Sequence, residues 1–191
     1  MRRRFLTLLS PVSGLLLLAL ALPNLACEGY EPTPFPVGDT AVLYSLARAE
    51  YIGERSGFDF ATPQAVIVER AKQGVPADFD VAFSEIEGEF VMLPAGLFEG
   101  MGVDPGIAVD SSGALFERLD RAPSQGYVTD EAVPLRLDRV YFVRTRNQNG
   151  CRRYAKFEVL DLDPAGILEF RFLRNNLCND RGLPDVDTDE D

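Results

Sequence analysis

The chain contains no histidine and no tryptophan, and it has only three cysteines and three methionines. Without histidine there is no Ser-His-Asp triad, no Cys-His nucleophile pair and no histidine-based zinc site. No Gly-x-Ser-x-Gly elbow and no P-loop occurs either, so common hydrolase and nucleotide-binding signatures are absent. "GMGVDPG" (Gly100–Gly106) has glycines but no βαβ surroundings, and it reads as turn material. The many carboxylates do not single out a glycosidase pair. An enzyme is not expected.

Positive charge is also scarce. Nineteen Lys and Arg stand against thirty Asp and Glu, a formal charge of −11. Three of the arginines, Arg2, Arg3 and Arg4, sit at the front. Such a chain is not expected to bind nucleic acid or an anionic membrane face. The C-terminal "DVDTDED" (Asp185–Asp191) lacks the glycine and the distant glutamate of a calcium loop, so residues 179–191 read as an acidic, disordered tail.

Long apolar runs are confined to the first 26 residues. The three arginines precede "GLLLLALAL" (Gly14–Leu22), then Pro23 and small Ala26, in the order of a secretory signal. An uncleaved membrane helix is the alternative, since roughly 18 apolar residues just span a bilayer; Pro11, Gly14 and Pro23 interrupt the run. "LAC" (Leu25–Cys27) resembles the site at which bacterial lipoproteins are cut and lipidated, whereas Asn24 departs from it, leaving ordinary signal cleavage with a free Cys27 open. Residues 27–39 are rich in Pro and Gly and read as a tether. The expectation is a bacterial envelope protein held to a membrane by lipid on Cys27.

Residues 40–178 read as one β domain. Short Val-, Phe-, Tyr- and Leu-rich segments begin at Thr40, Gln64, Asp80, Gly88, Gly106, Arg139, Arg153 and Ile167, with turn signals such as "DPG" and "DPAG" between them. Only Tyr44–Glu54 has the makings of a short helix. The expected architecture is all-β, an antiparallel two-sheet sandwich or open barrel ending in a C-terminal hairpin. If Asp163 faces Gly166, then Phe157 faces Phe172, Glu158 faces Arg171 and Cys151 faces Cys178; a three-residue Pro-Ala-Gly loop with a bulge would shift this by one. A Cys151–Cys178 disulfide fits an oxidising compartment, and leaves Cys27 as the odd thiol that lipid would explain.

Two features are candidates for binding. Arg144, Arg146, Arg152, Arg153 and Lys156 concentrate positive charge and could hold a carboxylate or phosphate, or simply pair with acidic neighbours. The Gly-rich stretch Val91–Gly106 carries Met92, Phe98 and Met101, which either line a site or fill the core.

"VYFVRTRNQNGCRRYAKFEVLDLDPAGILEFRF" (Val140–Phe172) resembles the C-terminal part of the HmuY-like family of haem-binding bacterial lipoproteins through Tyr141, Arg144, Thr145, Tyr154, Ala155 and Lys156. "FDVAF" (Phe79–Phe83) resembles that family's Trp-Asp-apolar-Ala-Phe strand. The resemblance implies a non-enzymatic, exported binding protein with its site among loops at one end. The best-known member binds haem through two histidines, and this chain has none, so no ligand residue carries over. Met92, Met101 and Tyr127 are the side chains whose type permits haem ligation, with Arg144, Arg146 and Arg153 as partners for an anionic group. A small apolar or anionic ligand is the first expectation; an envelope protein that contacts another protein through a sheet face or edge is the second.

Overall fold

The computed structural model describes residues 39–68, 77–98 and 104–183. The signal segment, Cys27, nearly all of the tether and Met101 lie outside the described residues. Among the described residues ten strands form the domain. They are β1 (Asp39–Tyr44), β2 (Arg55–Asp59), β3 (Gln64–Ile67), β4 (Val81–Ile86), β5 (Glu89–Pro94), β6 (Gly106–Val109), β7 (Val133–Pro134), β8 (Val140–Arg144), β9 (Tyr154–Asp163) and β10 (Ile167–Arg174). They make two antiparallel five-stranded sheets, β1-β10-β9-β8-β6 and β3-β2-β4-β5-β7, not closed into a barrel. Among the described residues the expected helix is only a 3-10 turn at Ala49–Tyr51.

Alternation along the strands decides which side chains meet between the sheets. Tyr141 and Val143, Phe157 and Val159, and Leu168, Phe170 and Phe172 point inward from the first sheet. Phe58, Val81, Phe83 and Met92 answer from the second. Phe58 meets Phe170 and Phe172 edge-on, with centroids at 5.2 and 5.0 Å. Each such ring stabilises by about 2–3 kcal/mol through burial alone. The buried Tyr141 hydroxyl donates to Pro134 O at 3.0 Å and accepts from Arg136 N at 2.9 Å, tying β8 to the end of β7.

The last hairpin contains both registers that the sequence left open. Near the turn Asp163 pairs with Ile167 across a three-residue loop, with Gly166 at φ 90°. A bulge then shifts the register, so that Phe170 faces Val159, Arg171 faces Glu158 and Phe172 faces Phe157. Arg171 Nε donates to Glu158 Oε2 at 2.6 Å, the cross-strand pair expected from sequence.

Both outer faces carry smaller clusters. Val140, Phe142 and Leu173 are covered by Phe116, Ala122 and Leu183. Leu183 N donates to Asp120 O at 2.6 Å, so the packed domain continues past Cys178 through Leu183, correcting the boundary drawn at 178; residues 184–191 lie outside the described residues. On the other sheet, Phe79 lies over Gly57, where a Cβ would meet Val68 Cγ2 at 2.7 Å and Phe79 Cγ at 3.3 Å. That close approach explains the glycine inside β2, a strand that sequence periodicity missed.

Cys151 and Cys178 form a disulfide with Cα atoms 5.0 Å apart. Such a bond belongs to an oxidising, non-cytoplasmic compartment. By the chain-entropy argument, the double replacement Cys151→Ser with Cys178→Ser should cost about 3–4 kcal/mol. Urea unfolding of the oxidised protein and the double variant measures this; equal midpoints would contradict it.

Candidate functional site

The loops following β2, β8 and β10 gather at one end of the sandwich, and there the basic residues separate into distinct environments. Arg146 goes inward. Its backbone N–H and Nη1 donate to Asp80 Oδ1 at 2.8 and 3.2 Å, and Nη1 also donates to Asp59 Oδ1 at 3.1 Å. Asp80 Oδ2 accepts from Phe60 N at 2.8 Å and Ala61 N at 3.1 Å, while Asp59 Oδ1 accepts from Ala61 N at 2.9 Å. With its amide oxygen turned toward the guanidinium, Gln148 accepts from Nη2 at 3.0 Å and Nε at 3.3 Å. All three charged side chains are buried. Arg146 is therefore a tie between the sheets, and its charge is spent on Asp59 and Asp80 rather than offered to a ligand.

The site holds two carboxylates and one guanidinium. Burial pushes Asp80 up to about 6, the nearby Asp59 charge acts in the same direction, and Arg146 with the backbone donors opposes them. The native chain thus retains a proton on Asp80 between about pH 4 and 6, where the unfolded chain has lost it. Stability contributed by this group falls as pH rises through that window, by about 3 kcal/mol at most, and is level above it. Asp80→Asn should remove this slope. It should also destabilise the domain by about 1–3 kcal/mol, because its NH2 must face one of two donor sets. Urea midpoints of both proteins at about pH 4.5 and 7.5 measure the slope; an unchanged slope in the variant would exclude Asp80 as its source.

Lys156 points to the other face of its strand. It is buried, with Nζ donating to Phe116 O at 2.6 Å and lying 4.3 Å from the centre of the Phe116 ring. Arg144 stacks on Tyr127 at 5.1 Å and donates to Asp104 O at 3.4 Å, and Arg152 pairs with the Asp104 carboxylate. The expected five-residue cationic cluster is thereby divided, because successive strand residues alternate between faces and Arg146 is drawn under the sheet end.

Arg153 and Arg174 lie side by side without an ion pair among the described residues. Arg153 Nε donates to Asn176 O at 3.4 Å, and Arg174 donates to Asn176 Oδ1 and, through Nη1, to Ala61 O at 2.5 Å. Those acceptors are neutral, and among the described residues neither guanidinium has a carboxylate within 4.0 Å. Arg174 Nε is buried without a hydrogen-bond partner. Burial first, and then the Arg153 charge, pull the Arg174 guanidinium below its ordinary value, with the Asp59 charge opposing them. Sequence inspection passed over Arg174 because it lies 21 residues from Arg153 and only the β9–β10 hairpin brings them together. Asp59 and Asp80 did leave a signal: each is an acid inside an apolar segment, "GFDF" and "FDVAF".

The haem-ligand candidates fare differently. Met92 is fully buried in the core between the sheets, opposite Phe83 and Val133, so its thioether is shut away from any ligand. The Tyr127 hydroxyl donates to Pro123 O at 3.1 Å, and burial holds its phenol well above the usual range, which disfavours the phenolate an iron would take. Met101 lies outside the described residues. Among the described residues no three His, Cys, Asp or Glu side chains are placed to hold a metal ion, and no helix is long and apolar enough to cross a membrane.

A concave region lies along the side of the sandwich, where β1 and β3 are the outermost strands of their sheets. Its volume is about 560 Å³, and Ala41, Val42, Phe58, Gln64, Ala65 and Phe172 contribute to its walls.

No family model matches the chain, and neither the curated proteins nor the solved structures contain a significant match.

Met92→Ala should cost about 2–5 kcal/mol as a core cavity. It should leave the visible spectrum of added haemin the same as with the unaltered protein. A changed iron spectrum would mean that Met92 reaches the ligand.

Proposed function

We propose that this chain is an exported, lipid-anchored, non-enzymatic binding protein that receives an anionic group of its ligand at Arg153 and Arg174. The observation that carries this reading is the pair of neighbouring guanidiniums that share neutral Asn176 and no carboxylate. Two like charges at a partly buried protein end are unfavourable when left alone. A carboxylate or phosphate between them relieves the repulsion and replaces a neutral acceptor by a charge-assisted one. The disulfide and the signal-like leader support export, and Cys27 is the residue proposed to carry lipid. Haem belongs to this ligand class through its propionates, and with Met92 sealed in the core its iron would need Met101, Tyr127 or no protein ligand at all.

A second reading, an envelope protein that contacts another protein, is favoured by exposed apolar side chains near the open side of the sandwich, among them Val42, Leu46, Ile52 and Ile67.

The test uses the lipid-free domain titrated with haemin, followed by its visible spectrum, and with inorganic phosphate, followed by amide shifts. Binding of either probe should weaken roughly tenfold or more in Arg153→Gln and in Arg174→Gln, the loss of one charge-assisted bond. Affinity unchanged in both variants, or an absence of binding by either probe, overturns the anion site. For the anchor, mass spectrometry should find a lipid-modified Cys27 as the mature N-terminus, and Cys27→Ala should release the protein from the membrane.

A further inference from the structure

The open side of the sandwich has a backbone property that the loop end lacks. Among the described residues strand β1 pairs only with β10, and none of them pairs with its other edge. Which residues face that edge follows from hydrogen-bond parity. The three-residue loop pairs Asp163 with Ile167, so odd-numbered residues of β10 near the turn bond to β9, and Leu168, Phe170 and Phe172 turn toward β1. Their partners are Leu43, Ala41 and Asp39. Ser45 N, in the same phase, donates to Gly166 O at 2.9 Å. By alternation Thr40, Val42 and Tyr44 aim their N–H and C=O groups away from the sheet, along the groove. Thr40 N is already taken by the Asp39 carboxylate at 2.8 Å, so Val42 and Tyr44 are left as the residues able to pair with an added strand.

The opposite sheet supplies a floor. Strand β1 packs chiefly over β2, and β3 is the strand beyond β2. Gln64, Ala65 and Pro63 therefore line the groove from below, with Phe58 and Phe172 at its inner wall. Ile67, on the same face of β3 as Ala65, is half exposed at 50%. A strand added next to β1, about 4.8 Å away, would lie over this surface and cover it.

We infer that this groove accepts one extended peptide strand of a partner protein, paired to Val42 and Tyr44 and carrying small apolar side chains at alternate positions over Ala65 and Phe58. This mode adds a strand to an open edge, with main-chain bonds giving affinity and alternate pockets giving selectivity. A second copy of the chain fits poorly: joining β1 to β1 would bring the projecting β3 of each copy under the other, where β2 and β3 already lie. Charge defines the peptide further. The groove is lined by Asp39, Glu54 and Arg55, none of which forms an ion pair among the described residues, and the excess carboxylate favours a peptide with a basic residue. The inference stands independently of Arg153 and Arg174, which are at the loop end.

The test is amide-shift mapping on the lipid-free domain with two synthetic hexapeptides of alternating Val and Thr, one ending in Lys and one in Glu. Saturating shifts at Thr40–Tyr44 and Gln64–Ile67, with the Lys peptide binding severalfold more tightly, are expected. Val42→Pro removes one outward N–H and leaves the β10 pairing intact, a substitution that edge strands tolerate; it should weaken binding tenfold or more. If Val42→Pro does not fold, N-methylation of alternate peptide amides gives the same information with the unaltered protein, and binding should be lost in one phase of methylation and kept in the other. Neither peptide shifting these residues at millimolar concentration, or binding indifferent to methylation phase, overturns the inference. A domain that sediments as a dimer dispersed by Val42→Pro overturns it in favour of self-pairing.

Discussion

The buried tie between Arg146 and the two carboxylates Asp59 and Asp80 is the constraint on which the loop end depends. Each partner comes from a different stretch of chain: the end of β2, the entry to β4 and the exit from β8. Removing Arg146 would leave two buried carboxylates without their counter-charge, a loss of about 3–5 kcal/mol, even when the intact tie contributes little net stability. Its value here is positional. Asp80 fixes the backbone at Phe60 and Ala61, and Ala61 O in turn holds Arg174. The β9–β10 hairpin sets Arg153 beside Arg174, and a carboxylate on the other sheet helps to hold the Arg174 guanidinium in place.

The same tie explains why charge at this end is unevenly shared. Arg146 has two carboxylates and Arg152 has the Asp104 carboxylate, while Arg144, Arg153 and Arg174 bond to neutral oxygens among the described residues. In a chain with eleven more negative than positive charges, guanidiniums with no carboxylate at ion-pair distance among the described residues are not a consequence of composition. They result from placement. The lateral groove is a second consequence of placement, because ten strands divided five and five leave β1 and β3 as outer strands on the same side.

The two surfaces differ in what they can recognise. The loop end offers guanidiniums, which read an anion and little else. The groove offers main-chain donors and acceptors beside a partly apolar floor, which read an extended backbone. The aromatic core underlies both surfaces: Phe58, Phe157, Phe170 and Phe172 fill the interval between the sheets, and Phe58 and Phe172 also reach the inner wall of the groove.

The amino-acid sequence by itself determined the all-β class, most strand positions, the Glu158–Arg171 pair and the Cys151–Cys178 bond. Those features rest on alternation and on a hairpin whose partners are near in sequence, so local pattern suffices. It missed β2 because Gly57 answers to Phe79, a residue just before β4, and β7 because two residues show no period. The candidate sites were only half legible for the same reason. Which arginines keep their charge is decided by Asp59, Asp80 and Asp104, and which edge stays open is decided by strand order. Both depend on contacts between residues far apart in the chain, which only the folded structure brings together.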